Sequence, residues 1–393
     1  DTMMGSALRF ESRNFLFIFS PSCPKSMASV NISTSQRVGC AARGRPSGKL
    51  GIRWLLRPSR GHPTLCAAQS GLGAAVATIP LERTADGFPA FIPKEFVDEI
   101  AEPACLDVLR SMQMAELQVE GLGIVKTAYV HAPYAGPASD TAPPAFVLLH
   151  GFDSSMLEFR RFISKLAPLG DVYAVDLAGW GFTDCGFAEN ANQSLGPQQK
   201  REHLKSFIQN VVQRQVTLLG TSLGGSVAID FASVYQGVHV DRLVLVDAQG
   251  FIDGIGPMSM APRFLSVLGV QVLKSVGLRQ MANKMAYYDK KRYATDDAMR
   301  IGRLHTHLDG WVDANVAFMK SGGYSVSDKM QGLELPCCVV WGRNDEILDP
   351  SNADKFMEVL GDARLVWIDE CGHVPALEQP DQLVAAIASF MNE

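Results

Sequence analysis

Gly220-Thr221-Ser222-Leu223-Gly224 forms the pattern G-x-S-x-G. Glycine is frequent in this chain, 35 of 393 residues, so the pattern alone says little. Its setting says more. Val216 to Leu219 reads as a short apolar strand directly before it, and Leu223 to Tyr235 reads as a helix directly after it. A serine on such a sharp turn has its hydroxyl lifted clear of the sheet, and glycines flank it because a β-carbon there would collide with the adjoining elements. The chemistry implied is nucleophilic attack by Ser222. A hydroxyl needs a base to take its proton, and the base needs a carboxylate to orient it. After a nucleophile turn of this kind the acid precedes the histidine in the chain. His373, in Glu370-Cys371-Gly372-His373-Val374-Pro375, follows the strand-like Arg364 to Ile368 and is the expected base. Asp345, in Trp341-Gly342-Arg343-Asn344-Asp345, follows the strand-like Cys337 to Trp341 and is the expected acid. Asp247 is its rival, because it ends the run Leu243 to Val246. His305 and His307 fall in a helical stretch and read as packing or surface residues, and His203 and His239 lie on the wrong side of their elements. Acyl transfer also needs N–H donors for a developing oxyanion. Leu223, at a helix N-terminus, offers one, and Phe152, in His150-Gly151-Phe152-Asp153, offers the other.

These residues need elements that bring them to one place. Pro93 to Met114 has helical spacing broken at Pro103, and Leu117 to Val119 and Ile124 to His131 alternate like two strands joined at Gly121 to Gly123. Short apolar runs then alternate with helical patterns: Ala145 to Leu149, Val172 to Val175, Val216 to Leu219, Leu243 to Val246, Cys337 to Trp341 and Arg364 to Ile368. Strands this short, and apolar on both faces, belong inside a parallel sheet covered by helices, with ligand-facing loops at the strands' carboxyl ends. Between Asp247 and Leu335 the rhythm breaks, and helix-like stretches follow at about Phe264 to Val276, Asp297 to His305 and Val312 to Lys320. Such an excursion reads as a lid, at about residues 250–330.

Leu149-His150-Gly151-Phe152, the loop Asp176 to Asp184, the run from Gly220 to Gly225, Trp341 to Asp345 and Cys371 to Pro375 together resemble the α/β-hydrolase superfamily. More narrowly they resemble its lidded branch of esterases, lipases and epoxide hydrolases, in the plant plastid-targeted subset. The resemblance runs from about Phe91 to the C-terminus. It implies an α/β fold with a mostly parallel eight-stranded sheet, helices on both faces and an inserted helical lid. Epoxide hydrolases and haloalkane dehalogenases of this kind use an aspartate where this chain has Ser222, so the aspartate-dependent chemistries are not expected, and Tyr287, Tyr288, Tyr293 and Tyr324 read as packing or substrate contacts.

Composition narrows the function further. The net charge is −5, unevenly spread: residues 1–66 hold ten Lys/Arg against two acids, which leaves −13 on the rest. An acidic body, taken whole, has no electrostatic pull toward nucleic acid or anionic lipid. From Ser12 to Leu81 there is no Asp or Glu, and Ser and Arg recur, as in organelle transit peptides. Residues 1–66 are therefore expected to be a disordered leader, with Met27-Ala28-Ser29 a natural start, Leu65 to Ala68 a processing site, residues 67–90 a linker, and the chloroplast the destination. The run Phe15 to Phe19 is too short to span a bilayer, and no transmembrane segment is expected. Outside the leader five cysteines remain, with no C-x-x-C spacing, and read as buried small hydrophobes. No phosphate loop, dinucleotide fingerprint or metal-ligand cluster appears, so no cofactor is expected. The expected activity is hydrolysis of an ester, or a related acyl bond, of a small hydrophobic lipid-like substrate through an acyl-enzyme. Met258, Met260, Met281 and Met285 in the lid suit such a substrate. A lyase, an acyltransferase or a small-ligand receptor on the same residues are the alternatives.

Overall fold

The computed structural model describes residues 78–138, 142–185 and 194–392. The expected leader, with its start and processing site, lies outside these residues. Nine strands form one sheet: β1 Thr78–Ile79, β2 Gln113–Val119, β3 Gly123–Ala132, β4 Ala145–Leu149, β5 Asp171–Val175, β6 Val216–Thr221, β7 Val240–Val246, β8 Cys337–Gly342 and β9 Ala363–Ile368. Their order is β1-β2-β3-β5-β4-β6-β7-β8-β9. β1, β2 and β3 are antiparallel to their neighbours, and β5, β4 and β6 to β9 run parallel. The sheet has one strand more than the eight expected. The extra strand is β1, which pairs Thr78 and Ile79 with Ala115 and Met114, so the expected linker of residues 67–90 already contains sheet.

Every residue of β4 is buried, and its side chains alternate between two cores. Ala145, Val147 and Leu149 face one core, shared with the helices Pro197–Phe207, Leu223–Tyr235 and Ser351–Val359. Phe146 and Leu148 face the other, shared with the helices Pro103–Ser111, Ile163–Leu166 and Pro380–Met391. From β4 the chain goes to β5 on one side and then to β6 on the other. Loops leaving the carboxyl ends of adjacent strands that wind in opposite directions part to open a crevice. The loops after β4 and β6 are the ones carrying Phe152 and Ser222.

Between β7 and β8 lies a helical insertion: Arg263–Leu273, Val276–Ala286, Lys290–Tyr293, Asp296–Arg303 and Trp311–Lys320, with no strand among its described residues. The expected single helix from Phe264 to Val276 ends at Leu273, and a second begins at Val276. Cys105, Cys185, Cys337, Cys338 and Cys371 are buried and form no disulfide with one another. Burial pushes the Cys105, Cys185 and Cys337 thiols up to about 12, which leaves them inert.

Candidate active site

Ser222 stands between β6 and the helix Leu223–Tyr235 with φ 51° and ψ −122°. This backbone is disfavoured for any residue with a β-carbon and persists only where its surroundings enforce it. Two glycines do so. A β-carbon on Gly220 would lie 2.3 Å from Gly224 O, and one on Gly224 would lie 2.1 Å from Leu149 O. The helix is thus pressed against the ends of β4 and β6, and Ser222 is forced up at the crevice. Its N–H donates to Val246 O at 3.1 Å. Leu223 opens the helix, where N–H groups lack intrahelical acceptors and the helix dipole is positive.

Across the crevice, Gly151 faces the same serine. A β-carbon on Gly151 would sit 3.3 Å from Ser222 Cβ and 3.7 Å from its Oγ. Phe152 follows directly. His150 fixes this loop as a neutral imidazole. Its Nδ1–H donates to Gly151 O at 2.8 Å, and its Nε2 accepts from Leu177 N at 3.3 Å. Complete burial pulls its pKa down to about 3, in keeping with that tautomer.

The expected acid and base lie in the loops after β8 and β9. His373 Nδ1 donates to Asp345 Oδ2 at 2.7 Å, and both groups are buried. Asp345 Oδ1 accepts from Ile347 N at 2.7 Å and Leu348 N at 3.0 Å, so the carboxylate cannot swing away from the imidazole. Burial pulls the His373 pKa down, but the Asp345 charge and hydrogen bond, with the Glu158 charge behind them, carry it above the ordinary imidazole value. The structure thus pairs His373 with Asp345. It shows no hydrogen bond from Ser222 Oγ to the imidazole, a contact that in unliganded sites often tightens only with substrate. Asp247, the rival acid, lies beside the pair: its carboxyl, that of Asp345 and the His373 ring offer atoms within 4.8 Å of one another. Asp247 Oδ1 accepts from Gly342 N at 2.9 Å, and Oδ2 has no hydrogen-bond partner. Burial, and then the neighbouring Asp345, push its pKa well up, which favours the protonated carboxyl.

His203, His239, His305 and His307 bond or pack elsewhere. His203 accepts from Ala178 N and bonds Thr127 Oγ1. His307 stacks on Phe96, and His239 bonds Gln209. His305 bonds the Asp153 carboxylate.

Three carboxylates passed over in the sequence organise the site. Glu158, in the single turn Met156–Phe159, accepts from Gly151 N at 3.1 Å and from Thr221 Oγ1, tying the residue before Phe152 to the residue before Ser222. Asp153, at φ 47°, accepts from Arg279, from Trp311 Nε1 at 2.8 Å and from His305 Nε2 at 3.1 Å, all three in the helical insertion. Glu378 accepts from Gly372 N at 2.8 Å, Tyr288 N at 3.1 Å and Asp289 N at 2.7 Å, joining the His373 loop to the insertion. The expected packing role of the tyrosines fits Tyr287 and Tyr324, which are buried, while Tyr288 is exposed. Phe152, Trp180 and Phe318 form an aromatic cluster, with ring centroids 4.8 to 5.9 Å apart, from the loops after β4 and β5 and from the helix Trp311–Lys320.

Residues 146–386 match the family model for the alpha/beta hydrolase family. The chain is 33% identical over 309 residues to the alpha/beta hydrolase domain-containing protein VTE7 of Arabidopsis thaliana, covering 78% of this chain and 91% of that protein. It is 22% identical over 258 residues to human monoacylglycerol lipase ABHD6, covering 63% of this chain and 75% of the lipase. Among solved structures it resembles a thermophilic esterase from Thermogutta terrifontis, with a TM-score of 0.59 and 18% identity over 71% of this chain and 98% of the esterase. Helices on both faces of a mostly parallel sheet agree with that likeness.

Proposed function

This chain belongs to the alpha/beta hydrolase family, and we propose that within it the protein is a serine esterase acting through an acyl-enzyme. The observation that carries the reading is the 2.7 Å bond from His373 to Asp345, formed at the carboxyl ends of two strands beside the strained Ser222 turn. Ser222 Oγ attacks the ester carbonyl while His373 takes its proton, and Asp345 holds the imidazole in the tautomer with its free nitrogen toward the serine. The N–H groups of Phe152 and Leu223 bind the oxyanion. His373 then returns the proton to the leaving alcohol, and a water deprotonated by the same imidazole releases the acid. Asp247, beside the pair and holding Gly342 N, backs the acid without replacing it.

The helical insertion acts as the lid, anchored to the oxyanion loop through Asp153 and to the base loop through Glu378. The Phe152, Trp180 and Phe318 cluster favours an apolar acyl or alcohol group, and lipase-like relatives point the same way. The leader composition and the plant relative support delivery to the chloroplast. The test is Ser222→Ala, assayed on short p-nitrophenyl esters, with a fluorophosphonate probe on the unaltered protein. Esterase activity lost in the variant, with Ser222 labelled in the native protein, is expected. Turnover unchanged in Ser222→Ala, and no labelling, would overturn the reading.

A further inference from the structure

The helix Arg263–Leu273 of the insertion has Arg263, Ser266 and Gln271 as its only polar residues. Ser266 and Val270 are buried, and Val267 and Leu273 pack against the core. Such a helix, covered on one side, should present polar residues on the other. It does not. Phe264, Leu268 and Val272, spaced four apart on one face, are exposed, with Leu265 beside them, Met260 before them and Val276 after them. Phe264 is 71% exposed, Leu268 62% and Met260 86%. Six large apolar side chains thus emerge within 17 residues of chain, far denser than the scattered exposure of an ordinary surface.

The charge around them is as one-sided. From Gly254 to Tyr288 there is no Asp or Glu, while Arg263, Lys274, Arg279 and Lys284 supply four cations, in a chain whose net charge is −5. Arg279 turns inward to Asp153, and Arg263 pairs with Asp313. Lys284 is exposed and Lys274 half-buried, on the adjoining segments. Protruding apolar side chains on a helix, flanked by lysines and with Asp313 at their edge paired to Arg263, form the pattern of a helix that lies in a membrane interface. The apolar groups enter the acyl boundary, and the cations meet anionic headgroups, each adding attraction.

We propose that this face of the insertion docks on a lipid bilayer bearing anionic headgroups. The docking surface stands on the exposed side chains and charge alone. Its use, drawing a lipid-like ester from the bilayer toward Ser222, rests on the esterase reading. The test is co-sedimentation of the full chain with vesicles of phosphatidylcholine alone and of phosphatidylcholine with phosphatidylglycerol. The unaltered protein and Ser222→Ala should both bind the anionic vesicles, and bind the neutral ones more weakly. The double variant Phe264→Ser/Leu268→Ser should lose binding by roughly tenfold or more, while its rate on soluble p-nitrophenyl esters stays unchanged. Lys274→Glu/Lys284→Glu should lose the preference for anionic vesicles. Protein left in the supernatant with both vesicle types overturns the proposal, as does undiminished binding by Phe264→Ser/Leu268→Ser. A concentration-dependent dimer that this variant abolishes, without vesicle binding, assigns the face to a second copy and also overturns it. Vesicle binding without esterase activity leaves the docking surface intact and removes only the catalytic reading.

Discussion

Asp153→Asn isolates what the insertion contributes to the core domain. The carboxylate is buried and takes three donors from the insertion. An amide keeps the shape and one acceptor oxygen. His305 and Trp311, both on Oδ1, can stay bonded to that oxygen. The NH2 then takes the place of Oδ2 and points its hydrogens at the Arg279 guanidinium, donor against donor. Removing one partner of a buried ion pair costs about 3–5 kcal/mol, because the other charge stays buried and uncompensated. At about 2–4 °C per kcal/mol for a large domain, Tm should fall by roughly 6–20 °C. Asp369→Asn is the control. Asp369 also pairs with an arginine, Arg343 at 2.6 Å, but its side chain is 77% exposed, and the loss should stay within about 1 kcal/mol. Urea unfolding followed by tryptophan fluorescence compares the two, and adding Arg279→Met to Asp153→Asn should cost far less than Arg279→Met alone. Burial is the largest single influence on Asp153 and pushes its pKa up, but Arg279, His305 and Trp311 together outweigh it and hold the pKa below the ordinary carboxyl range. Its stabilisation is therefore present above the ordinary value and lost as pH falls through the lowered one. Equal, small shifts for Asp153→Asn and Asp369→Asn, or additive costs in the double variant, would refute the clamp.

Two further outcomes follow from the base and its neighbours. With His373 raised by Asp345 and Glu158, the acid limb of kcat/KM should have its midpoint above the ordinary imidazole value, and Glu158→Gln should move it downward in a pH–rate profile. The groups facing that imidazole are Asp345, Glu158 and Asp247, so an unmoved limb would leave Glu158 as a strut between Gly151 and Thr221. The same raised value means that the His373–Asp345 pair stabilises the fold fully below the ordinary value and loses this as pH rises through the raised one, opposite to the activity. Asp345→Asn should lower kcat by about 10⁴-fold, as expected where the imidazole loses its tautomer. Asp247→Asn, which keeps an acceptor for Gly342 N, should cost less than tenfold, and the reverse ranking would give the acid role to Asp247.

The parallel core was legible because each strand is a short apolar run and each functional loop follows one. Ser222, His373 and Asp345 could be picked out from position after a strand. Asp345 is the expected acid on position alone although Asp247 follows a neighbouring strand, and only side-chain geometry adds that His373 bonds Asp345. β1 was missed because two residues, Thr78 and Ile79, make no pattern. Asp153, Glu158 and Glu378 were missed for a different reason. Asp153 meets its insertion partners 126 to 158 positions away, and Glu378 reaches residues 89 and 90 positions away. Glu158 reaches Thr221 across 63 positions. Nothing local marks an acid as destined for such a contact.

The crowding of Gly220 and Gly224 has a consequence for how this scaffold can change. Neither glycine can accept a side chain without parting a helix from the sheet, so the tilt of the turn is set by backbone contacts and not by what residue 222 carries. The perch and its cargo are separable. A cysteine or an aspartate placed there would be thrust into the crevice at the same angle. New chemistry on this frame therefore needs one side chain and a refitted loop, while the frame tolerates almost no change at the two positions where there is no side chain at all.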